Sequence, residues 1–158
     1  YVNRLALFTA AHNPEELISL LNAVIARRSK KEMRCAECAP REWWTLVPDY
    51  QHTFVTAGYG TLSPTTMDYV GAAIDPRGTL GIAYIPKATT ITVALSKFSG
   101  PVTARWFDPT NGAFTPIPES PLPNSGPRAF TTPGDNIAGC GDWVLLLETQ
   151  KLLPPTSR

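Results

Sequence analysis

Val102 to Phe114 reads VTARWFDPTNGAF, a run that alternates in character and then reverses. Taken as an extended strand, it puts Val102, Ala104 and Trp106 on one side and Thr103, Arg105 and Phe107 on the other. Asp108-Pro109-Thr110-Asn111-Gly112 comes next as a tight turn. Pro109 presets φ, and Asn111-Gly112 accepts the positive φ that closes a hairpin. A second strand starts at Ala113. The stretch therefore reads as a half-buried antiparallel hairpin with Trp106 facing the core.

Similar short runs lie on either side. Period-two alternation predicts strands near 53–58, 68–75, 79–85, 89–95, 102–108, 112–117, 127–131 and 142–148. Ile91, Val93 and Leu95 alternate with Thr90, Thr92 and Ala94, and Asp75-Pro76-Arg77-Gly78 forms another hairpin turn. Trp143 to Leu147 is apolar on both faces, which predicts a central strand covered on both sides. No parallel β-α-β pattern appears. The fold class expected is all-β, a two-layer antiparallel β-sandwich of about eight short strands with an N-terminal helical segment. The proline-rich piece from Pro116 to Pro133 is expected to run irregularly along the surface as a rim or packing loop, because proline cannot donate to a central ladder.

Composition bounds the function classes. The chain has 158 residues, 43% of them hydrophobic, enough for one domain with a real core. Fourteen basic and thirteen acidic side chains nearly cancel, so no bulk attraction to nucleic acid or an anionic membrane is expected. No apolar run reaches the ~18 residues of a membrane span. Sixteen prolines and eleven glycines fall between the apolar runs, where they punctuate strands. The chain begins at Tyr1, which suits a processed or excised piece of something longer.

The N-terminal third reads differently. Asn13 caps a helix, Pro14 fits its first turn, and Glu16 pairs back toward the cap. Leu17, Leu20, Leu21, Val24 and Ile25 recur at helical spacing, and Arg27, Arg28, Lys30 and Lys31 stand where cations favour the helix end. A lone helix over 14–30 is marginal in water, so its apolar stripe must be buried on this domain or on a second copy. Trp43 and Trp44 read as interface residues, a docking anchor between the helix and the strands after it, over the alternative of a sugar-stacking platform. The expected domain division is 1–42 helical segment, 43–52 connector, 53–149 sandwich and 150–158 tail.

Motifs for chemistry are sparse. Cys35-Ala36-Glu37-Cys38 has C-x-x-C spacing, yet the chain holds no second pair of ligands; Cys35, Cys38 and Cys140 read as ordinary thiols or one disulfide, and no metal site is expected. His12 and His52 read as incidental, with no G-x-S-x-G elbow beside either. Asp68, Asp108 and Glu119 sit at turns or strand ends, where acidic residues serve the backbone, so no carboxylate pair for glycoside hydrolysis stands out. No phosphate loop and no cofactor motif is present, and no catalytic residue is assigned. Among the aromatics Tyr59, Tyr69, Tyr84, Trp106 and Phe107, alternation sends Trp106 inward. Tyr84 and Phe107 are left as candidate outward-facing ligand-binding residues.

Five stretches carry a family resemblance: WWTLVPD (43–49), VTAGYGT (55–61), DYVGAAIDPRGTLGIAYIP (68–86), ITVALSKFSGPVTARWFDPTNGAF (91–114) and PGDNIAGCGDWVLLLE (133–148). Together they resemble the "putative collagen-binding domain", the C-terminal β-sandwich that succeeds a (β/α)8 barrel in apiosidase-like bacterial glycoside hydrolases. The resemblance implies a non-catalytic accessory domain whose partner is a catalytic barrel, or else a second copy of this chain. It also implies a secreted or periplasmic location, and residues 1–42 as a remnant or replacement of a barrel helix. A binding module for polysaccharide, or for an extracellular protein such as collagen, is the alternative.

Overall fold

The computed structural model describes residues 45–149. Their strands are β1 (Val47–Pro48), β2 (Val55–Ala57), β3 (Gly71–Ile74), β4 (Leu80–Ile85), β5 (Thr90–Ala94), β6 (Val102–Phe107), β7 (Phe114–Pro116), β8 (Pro127–Thr131) and β9 (Trp143–Thr149). They form two antiparallel sheets, one ordered β1-β3-β4-β9-β6-β7 and one ordered β2-β5-β8. The all-β sandwich is as expected, and all eight predicted strands are present. The ninth, β1, lies inside the expected connector and pairs with β3 through Val47–Ile74 and Pro48–Ala73. The expected helix over 14–30, the Cys35 and Cys38 thiols, and Trp43 and Trp44 lie outside the described residues. Among the described residues no helix is long and apolar enough to cross a membrane.

Register decides what each face of the larger sheet presents. One row runs Ala72, Ala83, Leu145, Trp106, and the next runs Ile74, Gly81, Leu147, Ala104. Ala83, Leu145, Leu147, Ala104 and Trp106 belong to the main core, together with Ile91 and Val93 of β5 and Phe130 of β8. The three-stranded sheet therefore lies on this inner face. Trp106 and Trp143 meet there edge to face with centroids 6.4 Å apart, and the indole Nε1 of Trp143 donates to the Gly134 carbonyl at 2.7 Å. Gly81 makes room for the rings of Phe54 and Phe98, since a Cβ at this position would come within 2.7 and 2.8 Å of them.

The other face carries Leu80, Ile82 and Tyr84 of β4, Val144 and Leu146 of β9, and Phe107 of β6. All are buried, yet none belongs to the main core. As the sequence suggested, β9 is central, hydrogen-bonded to β4 and β6, with its first five residues buried.

Turns are set by local side-chain chemistry. In the reversal after β6, Gly112 alone takes positive φ (+77°). Asn111 instead lends its Oδ1 to the Ala113 N–H at 2.7 Å, and Asp108 accepts from the Thr110 N–H at 2.8 Å. A side-chain acceptor thus does for the turn what a left-handed backbone at Asn111 was expected to do. The proline-rich loop is a packing loop: Leu122 exchanges two 2.8 Å backbone bonds with Val102 and plugs the core.

Two substitutions test this core. Trp143→Ala is expected to cost about 3–5 kcal/mol, the range for emptying a buried aromatic site. Gly81→Ala is expected to cost about 1–3 kcal/mol by overpacking against Phe54 and Phe98. Chemical denaturation followed by tryptophan fluorescence measures both, and a loss under about 1 kcal/mol for Trp143→Ala would contradict the core assignment.

Candidate functional site

Asp49 organises the corner where β1 passes to β2. Its carboxylate accepts the backbone N–H of Thr53 at 2.8 Å, of Phe54 at 2.9 Å and of Val55 at 2.8 Å, closing residues 49–55 into a fixed loop. The loop holds His52 in the left-handed region, φ +51°, an uncommon conformation for a side-chain-bearing residue. The imidazole lies flat on Tyr59, with centroids 3.7 Å apart and planes 8° from parallel. Tyr69 meets it edge-on at 6.0 Å.

Tyr59 is placed by its neighbours. Gly58 and Gly60 both have positive φ, and a Cβ on either would fall within 2.3 Å of a backbone oxygen, Thr90 O or Asp68 O. Only glycine lets the chain run this close on both sides of the tyrosine. The Tyr59 carbonyl then accepts from the Val70 N–H at 2.8 Å. Beyond it, Asp68 Oδ1 takes the Thr61 N–H at 3.2 Å; bonds from the Thr66 side chain and the Thr61 backbone hold this carboxyl below its ordinary range.

Tyr50, Leu62 and Met67 are exposed along this segment, Tyr50 by 67%. Burial, with Asp49, Tyr50 and Tyr59 nearby, raises the Tyr69 hydroxyl above its usual pKa, so it stays a neutral donor at any physiological pH. The corner is thus a rigid aromatic cluster with an apolar rim. Its chemistry suits contact with a flat or apolar ligand; it holds no nucleophile–base pair.

The buried carboxylates elsewhere are committed to their own loops. Asp108 accepts from Thr110 N and Ile137 N. Asp142 accepts from Asn136 Nδ2 at 2.9 Å, and the Tyr84 hydroxyl reaches toward it at 3.5 Å. Asp75 accepts the Thr79 hydroxyl at 2.5 Å and the Arg77 N–H at 3.0 Å, and pairs with the Arg77 guanidinium at 3.1 Å. Burial pushes its pKa up, but the bonds from Thr79 and Arg77 outweigh it and the net shift is downward. Among the described residues no three His, Cys, Asp or Glu side chains gather as a metal site would require.

The sequence candidates fare unevenly. Tyr84 and Phe107 do point away from the sandwich core, as alternation implied. They are not outward-facing in the sense of being accessible, with only 3% and 6% of their surface exposed. Phe107 stacks at a tilt on Phe114, 5.0 Å away, and both candidates sit among the apolar side chains of their own face. Period two decides the side of a strand; it carries no information about what covers that side. The aromatic corner went unread because His52 and Tyr59 are brought together by a loop whose only signal is Asp49 ahead of Thr53.

A family model described as "Putative collagen-binding domain of a collagenase" matches residues 63–148. The chain belongs to this family. Tyr69 falls within the matched part of the collagen-binding-type domain, while Tyr50, His52 and Tyr59 precede it. A solved structure titled as a glycoside hydrolase family 5 from Bacteroides vulgatus ATCC 8482 is 21% identical with a TM-score of 0.50, over 70% of this chain and 23% of that one. Another, titled "Glycoside hydrolase", is 21% identical with a TM-score of 0.49, over 66% of this chain and 21% of that one. The likeness to the family 5 structure is one of fold, and the matched part spans less than a quarter of each of those chains. No curated protein matches the chain.

Two outcomes are expected. Asp49→Ala leaves three backbone N–H groups, two of them buried, without their acceptor and is expected to destabilise by about 1–3 kcal/mol, with loss of the His52–Tyr59 ring-current shift in proton NMR. Asp75 has a lowered pKa in the folded state, so its contribution is complete above the unfolded value near ~3.9 and is lost as pH falls through the folded one. Asp75→Ala is therefore expected to flatten the fall in stability between about pH 4 and pH 2, measured by thermal melts across that range.

Proposed function

We propose that this chain is a non-catalytic accessory β-sandwich of a carbohydrate-active enzyme, packing beside a catalytic barrel. The observation that carries the reading is one of proportion. A β-sandwich of this fold makes up 23% of a chain titled as a family 5 glycoside hydrolase, leaving ample length there for a separate catalytic domain. The buried carboxylates support it, since Asp75, Asp108 and Asp142 spend their oxygens on neighbouring side chains and backbone of their own loops. A carboxylate so engaged is a poor general acid or nucleophile. Within such enzymes the resemblance carried by the five stretches between residues 43 and 148 points to an apiosidase-like parent.

The aromatic corner favours one refinement. An exposed Tyr50 beside the fixed Tyr59–His52 stack suits the flat apolar face of a sugar ring, so binding of polysaccharide is the second reading, ahead of collagen.

The purified chain is expected to turn over no aryl glycoside, aryl apiosides included. Turnover abolished by replacing a single Asp or Glu of this chain would overturn the accessory reading. For the second reading, a plant polysaccharide cast into a native gel is expected to retard the chain, and Tyr50→Ala to weaken retention by up to about tenfold, the loss of one ~0.5–1.5 kcal/mol aromatic contact. Retention unchanged by Tyr50→Ala would move binding away from the corner.

A further inference from the structure

Among the described residues, no strand lies against the outer face of the six-stranded sheet. Leu80, Ile82 and Tyr84 from β4, Val144 and Leu146 from β9 and Phe107 from β6 lie side by side there by register. Every described strand belongs to one of the two sheets, and the three-stranded sheet occupies the opposite face. Bare, six large apolar side chains in one block would make a patch larger than soluble monomers ordinarily expose. Yet within the single chain Ile82 and Tyr84 are each 3% exposed. Such a face calls for a cover beyond the described strands.

We propose that residues 14–30 pack as an amphipathic helix across this outer face, with the stripe Leu17, Leu20, Leu21, Val24 and Ile25 seated on Ile82, Tyr84, Val144, Leu146 and Phe107. The chain outside the described residues consists of 1–44 and 150–158. The C-terminal piece offers Leu152 and Leu153 before Pro154-Pro155 ends any regular element, too little to cover six side chains. The N-terminal piece enters at β1, the first strand of this same sheet, so it arrives beside the face it is to cover.

Dimensions agree. Seventeen helical residues extend about 25 Å at ~1.5 Å each, and six strands at ~4.8 Å spacing measure about 24 Å across. Residues 31–44 form a tether long enough to return the chain to Thr45 from either end of such a helix. The charge on the face is compensated, since Arg105 pairs with Glu148 and its guanidinium lies 5.0 Å over the Phe114 ring, although its Nε is buried with no hydrogen-bond partner among the described residues. An apolar helix stripe can approach without stranding that charge. Trp43 and Trp44, next to Thr45, would close the margin where the tether meets β1.

The test uses the full chain with methyl-labelled Ile, Leu and Val. Methyl–methyl NOEs are expected between Leu17, Leu21 or Val24 and Ile82, Val144 or Leu146. Leu21→Asp is expected to shift the outer-face methyls, leave those of Ile91 and Val93 in place, and lower Tm by several degrees, at ~2–4 °C per kcal/mol for a chain of this size. Ser19→Asp, on the opposite side of the helix, is expected to change none of these. Absence of the NOEs in the unsubstituted chain, outer-face methyls that ignore Leu21→Asp, or light scattering giving twice the chain mass with the NOEs intermolecular would each overturn the proposal. The last would assign the cover to a second copy.

Discussion

Strand β9 carries an apolar side chain at every position from Trp143 to Leu147 and hydrogen-bonds to β4 on one side and β6 on the other. A strand of that kind has no face it can leave in water, so the sheet around it must be clad twice. Leu145 and Leu147 meet the three-stranded sheet, whereas Val144 and Leu146 meet whatever lies on the opposite side. At roughly 25 cal/mol per Å2 of apolar surface, each fully buried side chain of this size is stabilised by about 1.5–3 kcal/mol. Leaving one side bare would forfeit several such contributions at once, a large share of the few kcal/mol by which a domain is stable. The domain is therefore three layers in demand even though its described strands make two.

Much of this was legible in the sequence. The hairpin of residues 102–116 was readable because alternation, Pro109 and Gly112 all agree on one local structure. The central place of β9 was evident from its unbroken apolar run. What escaped was non-local. β1 is only two residues long and contains Pro48, too short to show any period. Tyr84 and Phe107 were assigned the correct side of their strands, but alternation does not say how well that side is covered. The His52–Tyr59 stack joins two loops, one of them closed by backbone N–H bonds to Asp49, and a single aspartate before a threonine looks like any other turn.

Acidic residues illustrate how structural need can resemble catalytic equipment. Asp49, Asp75, Asp108 and Asp142 are all buried, a pattern that in a hydrolase would invite assignment as acid and base. Here each closes a loop of its own neighbourhood, with partners mostly two to six residues away in sequence. Such local clamps hold loops still at little topological expense, because closing a short loop sacrifices little chain entropy. They leave the loop tips, Tyr50 and Ile137 among them, displayed on a stiff frame.

The borders of the two sheets have a consequence for assembly. Pro48 stands in β1, Pro116 in β7 and Pro127 in β8, while β2 departs from regular register against β5 between Val55 and Ala57. Those four are the outermost of the described strands, and each carries a proline or a break in register that interrupts the row of backbone groups another chain could zip onto. Recruitment by strand addition is thereby hindered at these margins, whether by a neighbouring protein or by a second copy held nearby in a crowded or tethered setting. Loops and sheet faces are the easier surfaces for a partner to engage. For a domain with two open-edged sheets, those interruptions guard against fibrous self-association.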